Sequence, residues 1–408
     1  MKSSRREFIQ NLAFIGIVCT QKRLPQLQVA DDIDWTVIKN NFLGSMHSVM
    51  NLNSGSAGMM SKSILNAHIK YLFEVNTYAP YEVLMNWEKD IKNNLQRLSS
   101  HINASQGHLY LLRNSTEGIN IVLRGKQWET NDEVVYASCD YPSLENTLHQ
   151  LQAEYNVILS HVDHGTLKHL SDDEIINNYE KKITKNTKLL IVTYMTHREG
   201  HILPVKRLCD MAHNYGVEVL IDGAHAVGQL NHSIDEIGCD YYVSSLHKWL
   251  NAPLGSGILY VKDEKIEHLR PSLSYPLSKQ KSADKIEHLG TRAFQNAMTL
   301  GIALDELEEI GIDRKRERLH QLNRLWIESV SKNKDIEIIT DTNRSCAITT
   351  VKVPLSISKA QKLLLNDHKI HVKKTGYPKH GYLRISSNLF LVESDVEKFA
   401  QALSTICK

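Results

Sequence analysis

Seven short apolar runs recur through the middle of this chain, and they constrain its fold more than any other feature. They are HLYLL at 108–112, EVVYAS at 133–138, NVILS at 156–160, KLLIVTY at 188–194, VEVLID at 217–222, DYYVSS at 240–245 and GILYVK at 257–262. Each is short for a helix, and none shows the strict polar alternation of a half-buried strand. Polar amphipathic segments at 143–155, 172–185 and 205–215 lie between several of them. Strands apolar on both faces need cover on both faces, and intervening helices supply it. The pattern predicts an α/β fold with a mostly parallel sheet between helical layers.

The flanking segments differ. Glu82 to Asn103 carries Val83, Leu84, Trp87, Ile91, Leu95, Leu98 and Ile102 at helical spacing. After about residue 265 the pattern changes. Residues 296–332 read as helix with a break at Gly311; then come IEIIT, CAITTVKV, a helix near 358–366, KIHVKK, YLRIS and a closing helix from 392. The expected organisation is a large domain over 31–290 with an N-terminal arm, then a helical connection and a smaller α+β C-terminal domain over 291–408. Residues 1–30 stand apart. There Arg5-Arg6 precedes an apolar stretch from Leu12 to Cys19, an order that resembles a twin-arginine export signal. That reading implies delivery to the periplasm; the alternative is a basic first turn on a cytoplasmic protein.

Charge narrows the function classes. With 48 basic and 46 acidic residues the net charge is +2, without the basic excess of a nucleic-acid binder. No apolar run approaches the length of a membrane span. Cysteines 19, 139, 209, 239, 346 and 407 form no CxxC pair and read as free thiols. His161, His164 and His169 lie close in sequence, but no carboxylate or cysteine is in register to complete a metal site, and none is assigned. Gly255-Ser256-Gly257 precedes a strand rather than following one, so it is not a dinucleotide fingerprint.

In open α/β sheets, ligands bind at the carboxyl ends of the strands. VEVLIDGAHAVG ends its strand at Asp222, a costly place for a carboxylate without a partner. DYYVSSLHKW ends at Ser244-Ser245 and presents Lys248 in the next loop, one crossover unit from Asp222. LYLLRNSTEG ends near Arg113, and Ser115 and Thr116 stand where a helix begins, with free N–H groups suited to phosphate. VVYASCDYPS places Tyr141 just past a strand end. Alone, each has an ordinary reading: Asp222 and Arg384 as ion-pair partners, Lys248 as a solvated lysine, Tyr141 as packing. Together they suit an aromatic, phosphorylated, pyridine-type cofactor. A lysine can form a Schiff base, an acid can hold the pyridine nitrogen protonated, and an aromatic ring can stack.

The stretch LIDGAHAVGQL…GCDYYVSSLHKWLNAPLGSGILYVK resembles the class V aminotransferase family of pyridoxal-phosphate enzymes, fold type I, and within it the isopenicillin N epimerase-like members. The resemblance implies that Lys248 carries the Schiff base and moves the α-proton. It implies that Asp222 pairs with the pyridine nitrogen, that His225 lies near the ring's phenolic oxygen, and that Tyr141 stacks on the ring. Ser115, Thr116, Ser245 and His247 match phosphate contacts. Thr291, in HLGTRAF, matches a residue that reaches a neighbouring subunit's phosphate, which implies a homodimer. Arg384, in GYLRISSNLF, matches the arginine that grips the carboxylate of an amino-acid substrate.

Two departures stand out. The desulfurase branch needs a reactive cysteine just before that arginine, and KKTGYPKHGYLR holds none. His197-Arg198 stands where many relatives have Asn, Ser or Pro, which makes His197 a candidate for a contact either to the ring oxygen or to substrate. The expected activity is transamination or epimerisation of an amino acid or derivative. A C–S lyase is the first alternative and a catalytically inactive binding protein the second.

Overall fold

All seven apolar runs are strands of one sheet. A computed structural model describes residues 33–46, 48–271, 273–279, 281–377 and 380–408. The Arg5-Arg6 segment and Cys19 lie outside the described residues. The strands are β1 (Gly107–Leu112), β2 (Glu133–Ala137), β3 (Ile158–Val162), β4 (Thr187–Thr193), β5 (Glu218–Asp222), β6 (Tyr241–Ser245) and β7 (Gly257–Lys262), in the spatial order β1-β7-β6-β5-β4-β2-β3. β3 starts two residues later than the run NVILS, because Asn156 adopts φ 57 to end the preceding helix and uses up the start of the run.

Strands β2 to β6 are mutually parallel, whereas β7 is antiparallel to both β6 and β1. The apolar runs gave no sign of that reversal. Its cause lies in the link from β6 to β7, residues 246–256, which holds Lys248 and a proline and forms no helix. A parallel return needs a longer, usually helical crossover. The parallel register sets Thr193 beside Asp222 and Asp222 beside Val243, so β4, β5 and β6 reach one carboxyl edge together.

Helices α1 (Lys62–Thr77) and α2 (Pro80–His101) precede the sheet. They are followed by α3 (Ser115–Gly125), α4 (Pro142–Tyr155), α5 (Asp172–Glu180), α6 (Val205–Asn214), α7 (Phe294–Ile310), α8 (Ile312–Val330), α9 (Ile357–His368) and α10 (Glu393–Ile406). Gly311, at φ 81, separates α7 from α8. α7 packs on α1 and α2 and gives Leu300, Ala303, Leu304 and Leu307 to the core of the large sheet. α8 packs on α10, where Trp326 meets Phe399 edge-on at 5.3 Å.

The C-terminal sheet holds β8 (Glu337–Ile338), β9 (Ile348–Lys352), β10 (Lys373–Tyr377) and β11 (His380–Ser386) in the antiparallel order β10-β11-β9-β8. The arm before α1 is tied to this unit. Met50–Asn51 pairs in parallel with Ile370–His371, and Ile38, Phe42 and Leu52 join the C-terminal core. From there the chain runs past the carboxyl edge of the large sheet to α1.

Candidate active site

A cavity of about 210 Å³ opens at that carboxyl edge. Lys248, Asp222, His225, Ser115, Thr116, Tyr141, Ser245, His247 and His197 all line it, as do Ser56, Asn114 and Thr193. The loops after five different strands therefore converge on one place.

The phosphate end is built where α3 begins. Asn114 caps the helix by accepting from the Glu117 N–H at 2.9 Å. The Ser115 N–H donates to Ser245 Oγ at 3.0 Å, and the two hydroxyls lie 2.9 Å apart. His247 turns Nδ1 to the Ser256 carbonyl at 3.2 Å. Hydroxyls, an imidazole and a helix N-terminus form a donor set that suits a phosphate. A methyl group on Gly257 would come within 2.6 Å of Asn114 Cα, so the strand next door passes too close for any side chain there.

The reactive end centres on Lys248. Its Nζ lies 3.2 Å from His225 Nε2, and the Trp249 indole N–H donates to the other ring nitrogen, Nδ1, at 3.1 Å. Asp222 is anchored by the Ala224 N–H at 3.0 Å. Burial pushes the lysine down to about 8, with Asp222 opposing the shift. Burial raises the Asp222 carboxyl, and Lys248 pulls it back. It holds His225 well below the ordinary histidine range, helped by the Lys248 charge. Tyr141 is 41 % exposed, yet its ring faces the amine at 6.0 Å. That gap admits one flat layer joined to the lysine. The site residues thus fit an aromatic aldehyde bearing a phosphate.

Arg384 enters from β11, and it too is buried. One terminal nitrogen donates to the His197 carbonyl at 2.9 Å; the other donates to Asn53 Oδ1 at 2.9 Å and Ser56 Oγ at 3.0 Å. Its Nε has no partner among the described residues. Burial lowers the guanidinium to about 10. His197 stands edge-on to Tyr141 at 5.2 Å, with Nδ1 buried and unpartnered. Thr291 is exposed and does not line this cavity of its own chain.

Sequence reasoning missed several members. Asn53, Ser56 and Gly58 belong to the arm. The Gly58 N–H donates to the His247 carbonyl at 2.8 Å, and a methyl group on Gly58 would lie 2.0 Å from the Lys248 carbonyl. The run NSGSAG, rich in glycine and serine ahead of a helix, was the available signal. Asp140 was also missed. It accepts from the Thr193 N–H and hydroxyl at 3.1 and 2.6 Å, which fixes one cavity wall. Lys373 sits directly opposite Arg384 in the β10–β11 ladder. The cysteines at 139, 209, 239, 346 and 407 are buried thiols, and burial drives Cys346 up to about 12. Among the described residues no group of three His, Cys, Asp or Glu side chains could hold a metal ion.

The model of the family described as Aminotransferase class-V matches residues 50–399. The chain belongs to that family. Its cofactor is pyridoxal 5'-phosphate. Hercynylcysteine sulfoxide lyase of Schizosaccharomyces pombe is 24% identical over 381 residues, covering 88% of this chain and 94% of that one. Isopenicillin N epimerase of Amycolatopsis lactamdurans is 26% identical over 334 residues, covering 77% and 84%. Among solved structures, the Escherichia coli cysteine desulfurase CsdA superposes with a TM-score of 0.81 at 17% identity, covering 92% of this chain and 98% of that one. The cystine C–S lyase C-DES superposes at 0.80 with 19% identity, covering 88% and 98%. These superpositions establish the fold, a fold type I arrangement with a mostly parallel central sheet. The family makes this chain a pyridoxal-phosphate enzyme.

Proposed function

We propose that this enzyme binds an amino acid or amino-acid derivative by its carboxylate at Arg384 and moves the α-proton with Lys248. The observation that carries the reading is the Lys248 amine, pushed down to about 8, in a cavity whose lining residues His197 and Ser56 are held by the buried Arg384 behind them. A lysine so depressed is a base near neutral pH, whereas a solvated one is not. Bound pyridoxal phosphate supplies a ring that takes up the electron pair left at the α-carbon. Ser115, Thr116, Ser245 and His247 would hold its phosphate, Asp222 its ring nitrogen, and Tyr141 its face. Arg384 fixes the substrate's orientation, and the arm residues Asn53 and Ser56 fix Arg384.

Elimination of a sulfur substituent from the β-carbon is the reaction with the most support. Among the described residues lining the cavity Lys248 is the one amine, and elimination needs one base at the α-carbon. The absence of a cysteine between Lys374 and Arg384 favours direct release of product over a persulfide relay. The similarity to hercynylcysteine sulfoxide lyase points the same way. Epimerisation is the second reading. Tyr141, across the cavity from Lys248, offers a hydroxyl that can return a proton from the other wall, and isopenicillin N epimerases are among the relatives.

The deciding measurement is spectroscopic. The wild type is expected to be yellow, with a visible band that survives dialysis, and Lys248→Ala to lose that covalent band. A wild type that takes up no pyridoxal phosphate overturns the reading. A panel of amino acids then separates the branches: keto acid and thiol release marks elimination, and solvent-deuterium exchange at the α-carbon without keto acid marks epimerisation.

The same proposal includes a homodimer, with Thr291 presented to the partner's site and the exposed side chains Leu72, Phe73, Tyr78, Tyr81 and Met85 on and between α1 and α2 as the apolar surface to be covered. Sedimentation giving a monomer at micromolar concentration counts against it. It also includes twin-arginine export, which should disappear from a periplasmic fraction on Arg5→Lys, Arg6→Lys substitution.

A further inference from the structure

His225 makes two hydrogen bonds, and together they permit few protonation states. The Trp249 indole N–H points at His225 Nδ1 over 3.1 Å. An indole nitrogen only donates, so Nδ1 must offer a lone pair. A neutral imidazole with a bare Nδ1 carries its proton on Nε2, and that nitrogen lies 3.2 Å from Lys248 Nζ. An ammonium group has three donors and no acceptor. The Nε2–H can therefore be received only by a lysine that is the free amine. If Lys248 were protonated, Nε2 would have to be bare, and the proton on Nδ1 would face the indole N–H.

We infer that Trp249 is a positioning residue that locks His225 as its neutral Nε2–H tautomer and thereby holds Lys248 towards the free amine. The inference rests on the reading of Lys248 as nucleophile and base, since the free amine is the form that acts in both roles.

The surroundings keep the lock in place. Trp249 and His225 are both buried, and the indole packs into the C-terminal core. The Trp249 carbonyl accepts a hydrogen bond from the buried Lys315 on α8. On the other side, Gly228 at φ 86 brings the chain so near that a methyl group would meet Leu250 N at 2.6 Å. The indole cannot swing away without moving the Lys248 loop. Among the charged and titratable groups around the pair, Asp222 at the end of β5 favours the ammonium. Arg384 on β11, Lys373 on β10 and His197 after β4 disfavour a positive charge on His225 or Lys248. The tautomer lock acts in the same sense as these cations and against Asp222.

Two readouts on the full-length chain freed of cofactor test this. The first is long-range ¹H–¹⁵N spectroscopy of histidine-labelled protein, with His225 identified by its loss in His225→Gln. At pH 9–10, where Lys248 is mostly the free amine, a bare Nδ1 and a protonated Nε2 are expected. A proton on Nδ1, or a cationic ring in that range, overturns the inference, and this readout needs no Trp249 variant to fold. The second is the rate of pyridoxal phosphate uptake against pH. Trp249→Phe keeps the packed ring and removes the donor. It should move the midpoint to higher pH and slow uptake at pH 7 by about threefold to tenfold, the worth of one ordinary hydrogen bond. In a His225→Gln background the same substitution should shift nothing, because no tautomer remains to be locked. An unshifted midpoint in Trp249→Phe, or a shift that persists in the His225→Gln background, also overturns it. Failure of the wild type to take up pyridoxal phosphate at all strikes at the cofactor reading instead and leaves the tautomer measurement standing.

Discussion

At the residue scale, burial converts common side chains into unusual ones. Lys248 would be a charged surface lysine on its composition alone. Enclosed beside His225 and Asp222 it titrates near 8, so its free-amine fraction rises from about a tenth at pH 7 to about nine tenths at pH 9. The folded value lies below the usual lysine value, so alkaline conditions fill the reactive form. Uptake of pyridoxal phosphate by the cofactor-free chain should accelerate about tenfold over that interval, and a flat profile would argue that the amine is not depressed. Arg384 illustrates the same effect for binding. Its guanidinium is buried and held by His197, Asn53 and Ser56. Arg384→Gln should raise KM for any amino-acid substrate by about thirtyfold or more, the ~2 kcal/mol floor for losing a buried charge-assisted contact. The visible band should remain, because the cofactor's own attachment does not use Arg384.

At the element scale, the site depends on how closely segments approach. The arm carrying NSGSAG threads between the C-terminal sheet and the Lys248 loop. There the Gly58 position leaves no room for a Cβ, with the Lys248 carbonyl at 2.0 Å. Gly58→Ala must displace one of the two segments. The expected result is a loss of about 1–3 kcal/mol in stability together with weaker cofactor uptake, read by denaturant titration and by spectroscopic titration with pyridoxal phosphate. An alanine variant that folds and loads like the wild type would show that the arm yields freely. The β6–β7 connection is another element-level device. Eleven residues without a helix reverse the chain, and the same loop delivers Lys248 to the edge where β4, β5 and β6 end. The carboxyl ends of the runs were legible because a strand's apolar stretch stops where solvent or ligand begins. The reversal of β7 was not, since a strand buried on both faces reads alike in either direction.

At the scale of the whole molecule, the cavity is lined by the large sheet and the arm, and the C-terminal sheet reaches it through Arg384, which holds the lining residues His197 and Ser56. Lys248, Asp222 and the phosphate end belong to the large sheet, whereas Arg384 and Lys373 come from the C-terminal sheet. Trp249 and the arm join the two, since Trp249 and Leu52 pack in the C-terminal core while their neighbours face the cavity. A ligand that engages both sides binds the folded chain and not the unfolded one. Loading with pyridoxal phosphate at one hundred times its Kd should therefore add about 2.7 kcal/mol of stability. Thermal melts of the loaded and cofactor-free chain check this, and identical melting temperatures would mean that the cofactor does not bind the native site.

The sequence by itself determined the seven strands, their burial on both faces, the positions of Lys248 and Asp222 one crossover apart, and with them the cofactor class. These follow from local pattern: the length of an apolar run, the residue at its end, and the spacing to the next. Only the tertiary structure decided that β7 runs backwards, that Asn53, Ser56 and Gly58 from the arm complete the site, and that Trp249 shares His225 with Lys248. Those are contacts between segments far apart in the chain, or choices of direction that a buried strand does not encode. They are fixed by which surfaces meet when the two cores pack.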